Sequence, residues 1–348
     1  MKLFKSLLVA PATLGLLAPL SATANEVTIN DFNAAEEIAV TNSRVDGLEA
    51  RLNNFEAGSF SETTSASFGS TFYVGSVENS ATGEATTFSY DFAMDLSTSF
   101  TGEDSLDIAV IGGNASGTAV DGFMGGDGTS DALTLDGVSY TFPLGGATVI
   151  VGDGVGVDDL NTGACAYSAF TDLLSDCGTS NVGGSADSAF AIAYDFDNGF
   201  TLAGGAGGGT GTDGFFTEED ASTIGLEAAY TADTYGVSVA YTDDEATTYW
   251  SVQAMLAPEG YPSLSVGYET DDDDADAIFA GLTFAEVGPG SVSLGMASTD
   301  LSSDDYYQYE LAYSYPLNDG MTITPGVFIK ETSGDDETGV VVTTSFSF

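Results

Sequence analysis

Carboxylates are the chemistry this chain carries in bulk, and little stands beside them. It holds 53 Asp and Glu against 5 Lys and Arg, no histidine and two cysteines. Without histidine, the side chain best suited to act as a general base near neutral pH and the commonest metal ligand are both missing. No Gly-x-Ser-x-Gly elbow offers a serine nucleophile. Paired acids can cleave glycosides, but here acids are so widespread that no pair stands out. Asp271, Asp272, Asp273 and Asp274 attract divalent cations, yet four consecutive carboxylates lack the spaced ligands of a coordination cage. A diffuse atmosphere of divalent cations is the expectation, with no specific metal and no cofactor. Gly125 to Asp131 falls short of a Ca²⁺-binding nonapeptide, because its second aspartate comes one place late and the unit is not repeated. Gly204 to Gly211 lacks the lysine and hydroxyl ending of a phosphate loop. Catalysis is not expected. Cys165 and Cys177, if exported, read as one disulfide. Neither lies in a basic setting that would make a reactive thiolate.

The elements that position these groups must first accommodate the charge. The formal net charge is −48, yet 43% of residues are hydrophobic and the mean hydropathy is +0.10. A soluble chain so charged is commonly disordered, and this one is too apolar for that. The two facts agree if apolar residues sit on strands and acids in loops. Like charge makes nucleic acid and anionic lipid surfaces poor partners. Residues 1–24 read as a secretory signal peptide: Lys2 and Lys5, an apolar run from Leu7 to Leu20, then Ala22-Thr23-Ala24. After it no apolar run approaches the roughly 18 residues of a membrane helix. An integral membrane protein with this sequence must therefore be a barrel.

From Ser65 onward apolar residues alternate with small ones. Tyr235, Val237, Val239 and Tyr241 alternate with Gly236, Ser238 and Ala240. Tyr307, Tyr309, Leu311, Tyr313 and Tyr315 alternate with Gln308, Glu310, Ala312 and Ser314. A soluble sandwich would bury the large face under a second sheet, whereas a barrel would turn it to lipid around a wet interior. Strands are expected near 65–77, 86–97, 104–112, 131–142, 147–152, 187–195, 199–206, 221–231, 235–242, 246–256, 262–270, 275–285, 290–298, 305–315, 320–330 and 339–348. Their connections alternate between tight turns, such as Asp197-Asn198-Gly199 and Val287-Gly288-Pro289-Gly290, and acidic loops, such as Asp243-Asp244-Glu245. Short turns on one rim and longer loops on the other suit a membrane barrel. The longest connection, Asp153 to Ala186, follows the fifth strand.

Ahead of the strands, residues 25–60 hold a leader and an amphipathic helix. Ile38, Val45 and Leu52 fall on heptad position a, and Thr41, Leu48 and Phe55 on d. Arg44 and Arg51 on g face Glu49 and Glu56 on e across a parallel coiled coil. The segment is short and Gly47 weakens it, so a single helix lying against or plugging the barrel is the other arrangement.

Several stretches resemble known proteins. Gly339 to Phe348, with Val340, Val342, Phe346 and Phe348 on its apolar side, resembles the closing strand of bacterial outer-membrane barrels, which ends in Phe and serves as an assembly signal. Leu135 to Gly152 resembles the fourth and fifth strands of general porins. Cys165-Ala166-Tyr167 with Leu174 to Gly178, and Ser43 to Ala50 before the barrel, resemble the major outer-membrane porins of marine cyanobacteria. Larger members of that family carry an S-layer-homology domain before the helix, where only residues 25 to about 33 stand here, so wall anchoring is not carried over. The resemblance implies that the loop after the fifth strand folds inward as a constriction. On this chain it carries Asp153, Asp158, Asp159, Asp172 and Asp176, and no base. Porin eyelets usually set acids against arginines. Here the only base after Arg51 is Lys330, so the pore is expected to be negative, with weak cation preference. The plainer alternative is that these acids simply solvate an exposed loop.

The expected protein is an all-β transmembrane antiparallel barrel of about sixteen strands over 61–348, a homotrimer in outer-membrane lipid, passing small hydrophilic solutes and ions by general diffusion. Two other readings stay open: a structural surface protein without channel activity, and a secreted acidic β-rich protein of a salty habitat.

Overall fold

In the computed structural model of the chain, residues 64–348 are described apart from 81–82, 127, 180–181, 183–187, 210–215, 218–220, 274 and 299–305. The expected signal peptide and the helix bearing Ile38, Arg44, Val45, Leu48, Glu49, Arg51, Leu52, Phe55 and Glu56 lie outside the described residues. The strands are β1 (Thr64–Glu78), β2 (Thr87–Thr98), β3 (Ser105–Gly113), β4 (Thr134–Leu144), β5 (Ala147–Asp153), β6 (Ser188–Asp195), β7 (Phe200–Gly208) and β8 (Ser222–Ala232). They continue as β9 (Tyr235–Asp243), β10 (Thr248–Leu256), β11 (Ser263–Asp271), β12 (Asp276–Val287), β13 (Gly290–Ser298), β14 (Tyr307–Asn318), β15 (Met321–Lys330) and β16 (Glu337–Ser347). Each pairs antiparallel with its neighbours in the chain, and β16 pairs with β1 to close a sixteen-stranded barrel. Closure leaves no edge strand unpaired.

The alternation read from the sequence becomes two faces. Along β8, Ile224 and Leu226 point outward, 41% and 55% exposed, while Gly225 and Glu227 point inward and are buried. Val237 and Val239, Trp250 and Val252, Leu264 and Val266, Val327 and Ile329, and Val340 and Val342 repeat the pattern. A soluble fold would cover such side chains, whereas here no second layer of the described chain does. Their surface matches hydrocarbon, and closure satisfies the backbone hydrogen bonds that hydrocarbon cannot.

The connections after even-numbered strands are short, such as 145–146 after β4 and 288–289 after β12. The long ones, 114–133 and 154–187, both follow odd-numbered strands and so share the opposite rim. Aromatic pairs gather at the short-turn rim, with Tyr194 and Phe196 at 4.8 Å and Phe200 and Tyr230 at 4.7 Å between ring centroids. Tyr241 and Trp250, at 4.7 Å, occupy the other rim. Belts of this kind suit the level of lipid headgroups. Phe348 exchanges backbone hydrogen bonds of 2.9 and 3.0 Å with Phe68, and their rings stack at 5.6 Å. Phe346 meets Phe72 edge-on at 5.9 Å. The terminal aromatics thus sit on the seam where the barrel closes.

Candidate pore constriction

The described part of the β5–β6 connection, residues 154–179 and 182, turns into the barrel and lies along its inner wall. An irregular backbone away from water needs hydrogen-bond partners, and a buried carboxylate needs donors. Each need meets the other here. Glu310 of β14, 2% exposed, accepts the N–H of Phe170 at 2.7 Å, the N–H of Thr171 at 2.8 Å and the Tyr167 hydroxyl at 2.8 Å. It also accepts the Thr171 hydroxyl, to whose oxygen Gln308 donates at 2.6 Å. Glu227 of β8 accepts the N–H groups of Thr162 and Gly163 at 2.6 and 2.9 Å. Gln253 of β10 accepts the Ala164 N–H at 2.8 Å and donates to the Asp176 carbonyl at 2.7 Å. Glu269 of β11 accepts the Val182 N–H at 3.2 Å.

Between these anchors the wall is made of small residues, and the loop comes close. At Gly267 an added Cβ would run into the Cys177 carbonyl, and at Gly205 into the backbone of Val157. Cys165 and Cys177 form a disulfide with Cα atoms 5.9 Å apart. Asp176 and Cys177 both adopt left-handed backbone, at φ 49° and 53°, a conformation unfavourable outside glycine. The disulfide and the Gln253 bond to the Asp176 carbonyl fix this kink. Leu174 and Cys177 are buried on Phe279 and Ala297.

A second connection also turns inward. Residues 114–133 carry a single helical turn, α1 (Asp121–Met124). Val120 and Phe123 pack against Val77, Phe328 and Val341 of the wall, with Phe123 and Phe328 at 4.3 Å between centroids. Phe170 of the longer loop joins the same cluster, so the two loops meet inside the barrel. The Lys330 ammonium lies 5.7 Å from the centroid of the Phe123 ring, a cation–π distance.

The five aspartates expected at a constriction are not equivalent. Asp153 ends β5 on the side of Val151 and accepts the Ser188 hydroxyl at 3.0 Å. Asp158 and Asp176 line a cavity of about 320 Å³ between loop and wall, together with Glu227 and Gln253. Burial raises the Asp158 carboxyl above the ordinary aspartate range, the charge of Asp176 adds to this, and a backbone hydrogen bond opposes it. Asp159 is raised by burial, with Asp158 adding. Asp172 is exposed and its carboxylate abuts Gly125 of the second loop. Asp271, from the acidic run, accepts the N–H groups of Asp273 and Ala275 at 3.0 and 2.9 Å, and so organises its own turn.

Glu227, Gln253, Glu269 and Glu310, which hold the loop to the wall, are not candidates that the sequence singles out. Their one signal was a large polar side chain on the small-residue face of a strand, visible at Glu269 and Glu310.

No family model matches the chain. The barrel matches that of Pseudomonas putida OprB at a TM-score of 0.63, covering 82% of this chain and 94% of that one at 13% identity. It matches a mutant of the Rh. blastica porin at 0.58, covering 82% of this chain and all of the other at 16% identity. This is the porin fold. In sequence, an uncharacterized protein of Nostoc sp. (strain PCC 7120) is 31% identical over 159 residues, which span 41% of this chain and 27% of that protein. The porin fold accounts for the even strand number, the unequal rims and the barrel-bound loop together.

Proposed function

We propose that the chain is a general-diffusion porin of a Gram-negative-type outer membrane, passing small hydrophilic solutes and ions, with an acidic path and weak cation preference. The observation that carries this reading is a closed barrel, apolar outside, whose longest loop is fastened inside its lumen by buried polar side chains. A rim loop merely solvated by its acids has no use for such anchors. Membership of the marine cyanobacterial porins is supported by the disulfide within this loop and by the partial Nostoc similarity. Assembly through Phe348 is supported by its place on the closing seam, and deleting Phe348 is expected to lower insertion. Trimerisation through the helix around Leu48 rests on its heptads, and Leu48→Asp is expected to loosen the oligomer on native electrophoresis.

Liposome swelling with sugars of graded size tests the main reading. Vesicles containing the protein should swell in small sugars and progressively less in larger ones. Vesicles that stay unswollen in the smallest sugar would contradict it. A second reading, a structural barrel without conductance, is favoured by one observation: the apolar cluster of Phe123, Phe170 and Phe328 fills part of the lumen.

A further inference from the structure

Several carboxylates of this barrel are occupied with backbone N–H groups. Glu310 and Glu227 hold the inward loop, and Asp104 and Asp271 organise the turns that carry them. At the short-turn rim two others are not so engaged. The turn 257–262 between β10 and β11 stands beside the last residues of β12, because β11 and β12 pair only as far as Ser263 and Thr283. A cavity of about 550 Å³ opens there. Glu259 of the turn and Glu286 of β12 both line it, and among the described residues neither carboxylate holds a hydrogen bond or an ion pair. Tyr261, 76% exposed, contributes its ring, and Pro258, Pro262 and Ala285 contribute apolar surface. Ala166 of the disulfide-bearing loop also lines the cavity, anchored through its N–H to the Ser265 hydroxyl at 2.9 Å. The Tyr261 N–H bonds to the Pro258 carbonyl at 3.2 Å, and the two prolines fix φ on either side. The turn is therefore formed before any ligand arrives.

We propose that this cavity binds a small alkylammonium cation at the short-turn mouth of the barrel. The chemical class follows from what the lining can donate and accept. Two carboxylates repel anions and pair with an ammonium group through charge-assisted hydrogen bonds. The side-chain donors are the hydroxyls of Tyr261, Ser263 and Thr283, with no amide, guanidinium or ammonium group beside them. A neutral polyol needs donors as well as acceptors for its hydroxyls and finds few here. A bare metal ion needs a shell of converging oxygens, whereas proline and alanine take up much of this lining. An alkylammonium ion uses every feature. Its N–H groups meet Glu259 and Glu286, its charge meets the exposed Tyr261 ring, and its methylenes lie against Pro258, Pro262 and Ala285. The proposal goes beyond the channel reading and does not rest on it, since a barrel that never conducts would present the same cavity.

Calorimetric titration of diaminobutane into the detergent-solubilised protein tests this, in enough KCl to screen the diffuse attraction of a chain of net charge −48. The parent should bind the amine saturably. Glu259→Gln with Glu286→Gln should weaken binding by about tenfold or more, the loss expected from charge-assisted hydrogen bonds. Tyr261→Ala removes no charge and should weaken binding about threefold, as loss of a cation–π contact does. Asp335→Asn with Asp336→Asn changes the net charge equally, on exposed residues of the opposite rim, and should leave the affinity as it was. Absence of saturable binding overturns the proposal. Equal losses in the two double variants, or an unchanged affinity in Tyr261→Ala, overturn it too, since either makes the uptake a diffuse counterion effect. Vesicle swelling with the same preparation reads the channel separately, so a barrel that conducts without binding the amine is told apart from one that binds without conducting.

Discussion

At the scale of single residues, the lumen is governed by polar side chains in a wall that is otherwise small. Glu310 shows why. It gathers two backbone N–H groups and two hydroxyls on one buried carboxylate. Hydrogen bonds to a charged group contribute about 1.5–3 kcal/mol each, and orphaned buried donors cost a similar amount. Glu310→Ala is therefore expected to release the loop around Thr171 while the barrel still forms. Limited proteolysis should then cut near Phe170 in the variant and not in the parent; equal resistance would remove Glu310 from its role. Asp158 carries the pH dependence. Its carboxyl is raised, so the folded state holds its proton more tightly than the unfolded chain does. The stability this contributes is present below the unfolded pKa and is lost as pH rises through the folded one. The charge runs the other way: as pH falls, Asp158 is neutralised before ordinary aspartates are. The part of the cation preference due to Asp158 should thus fade above the usual carboxylate range, and Asp158→Asn should shrink that early phase to the share of Asp159, which burial also raises. A selectivity profile unchanged by the substitution would contradict this.

At the scale of elements, the strands and the long connection after the fifth strand were legible and the second inward loop was not. Period-two patterning locates β13 at 290–298 and β9 at 235–242, within a residue of Gly290–Ser298 and Tyr235–Asp243. The misses have local causes. β4 starts at Thr134 rather than 131, because 131–133 still belong to the inward loop, where the Asp131 N–H bonds to the Gly113 carbonyl at 3.0 Å. β14 runs on to Asn318, past Pro316, because a shift of register near Pro316 lets the strand continue through a residue with no N–H to give. The inward fold of 114–133 was invisible, since Val120 and Phe123 find their partners on strands far along the chain. Glu227 and Gln253 were hidden for another reason: in a chain so acidic, one more polar residue on a strand carries little signal. The disulfide belongs to this scale too. Closing a loop of this length contributes about 3 kcal/mol by the chain-entropy account. Cys165→Ser with Cys177→Ser should lower the barrel's thermal transition by several degrees and increase open-channel current noise. Quiet currents in that double variant would mean that the wall anchors alone suffice.

At the scale of the whole molecule, charge and apolarity are sorted into different places. The exterior band is aliphatic, the rims are aromatic, and the acids face loops and lumen. A single described cation, Lys330, cannot balance them, so the lumen's potential depends on ions from the medium. Screening shortens from about 10 Å at 0.1 M salt to about 3 Å at 1 M, and the cation preference should shrink over that range. Everything here depends on water, and not protein, filling an unbroken passage beside the loops. The most direct measurement is single-channel recording of the purified protein in a planar bilayer under a KCl gradient. Discrete conductance steps with a reversal potential displaced toward that of K⁺ are the expected result. A correctly folded, inserted barrel that gives no steps, or one whose reversal lies toward Cl⁻, would contradict it.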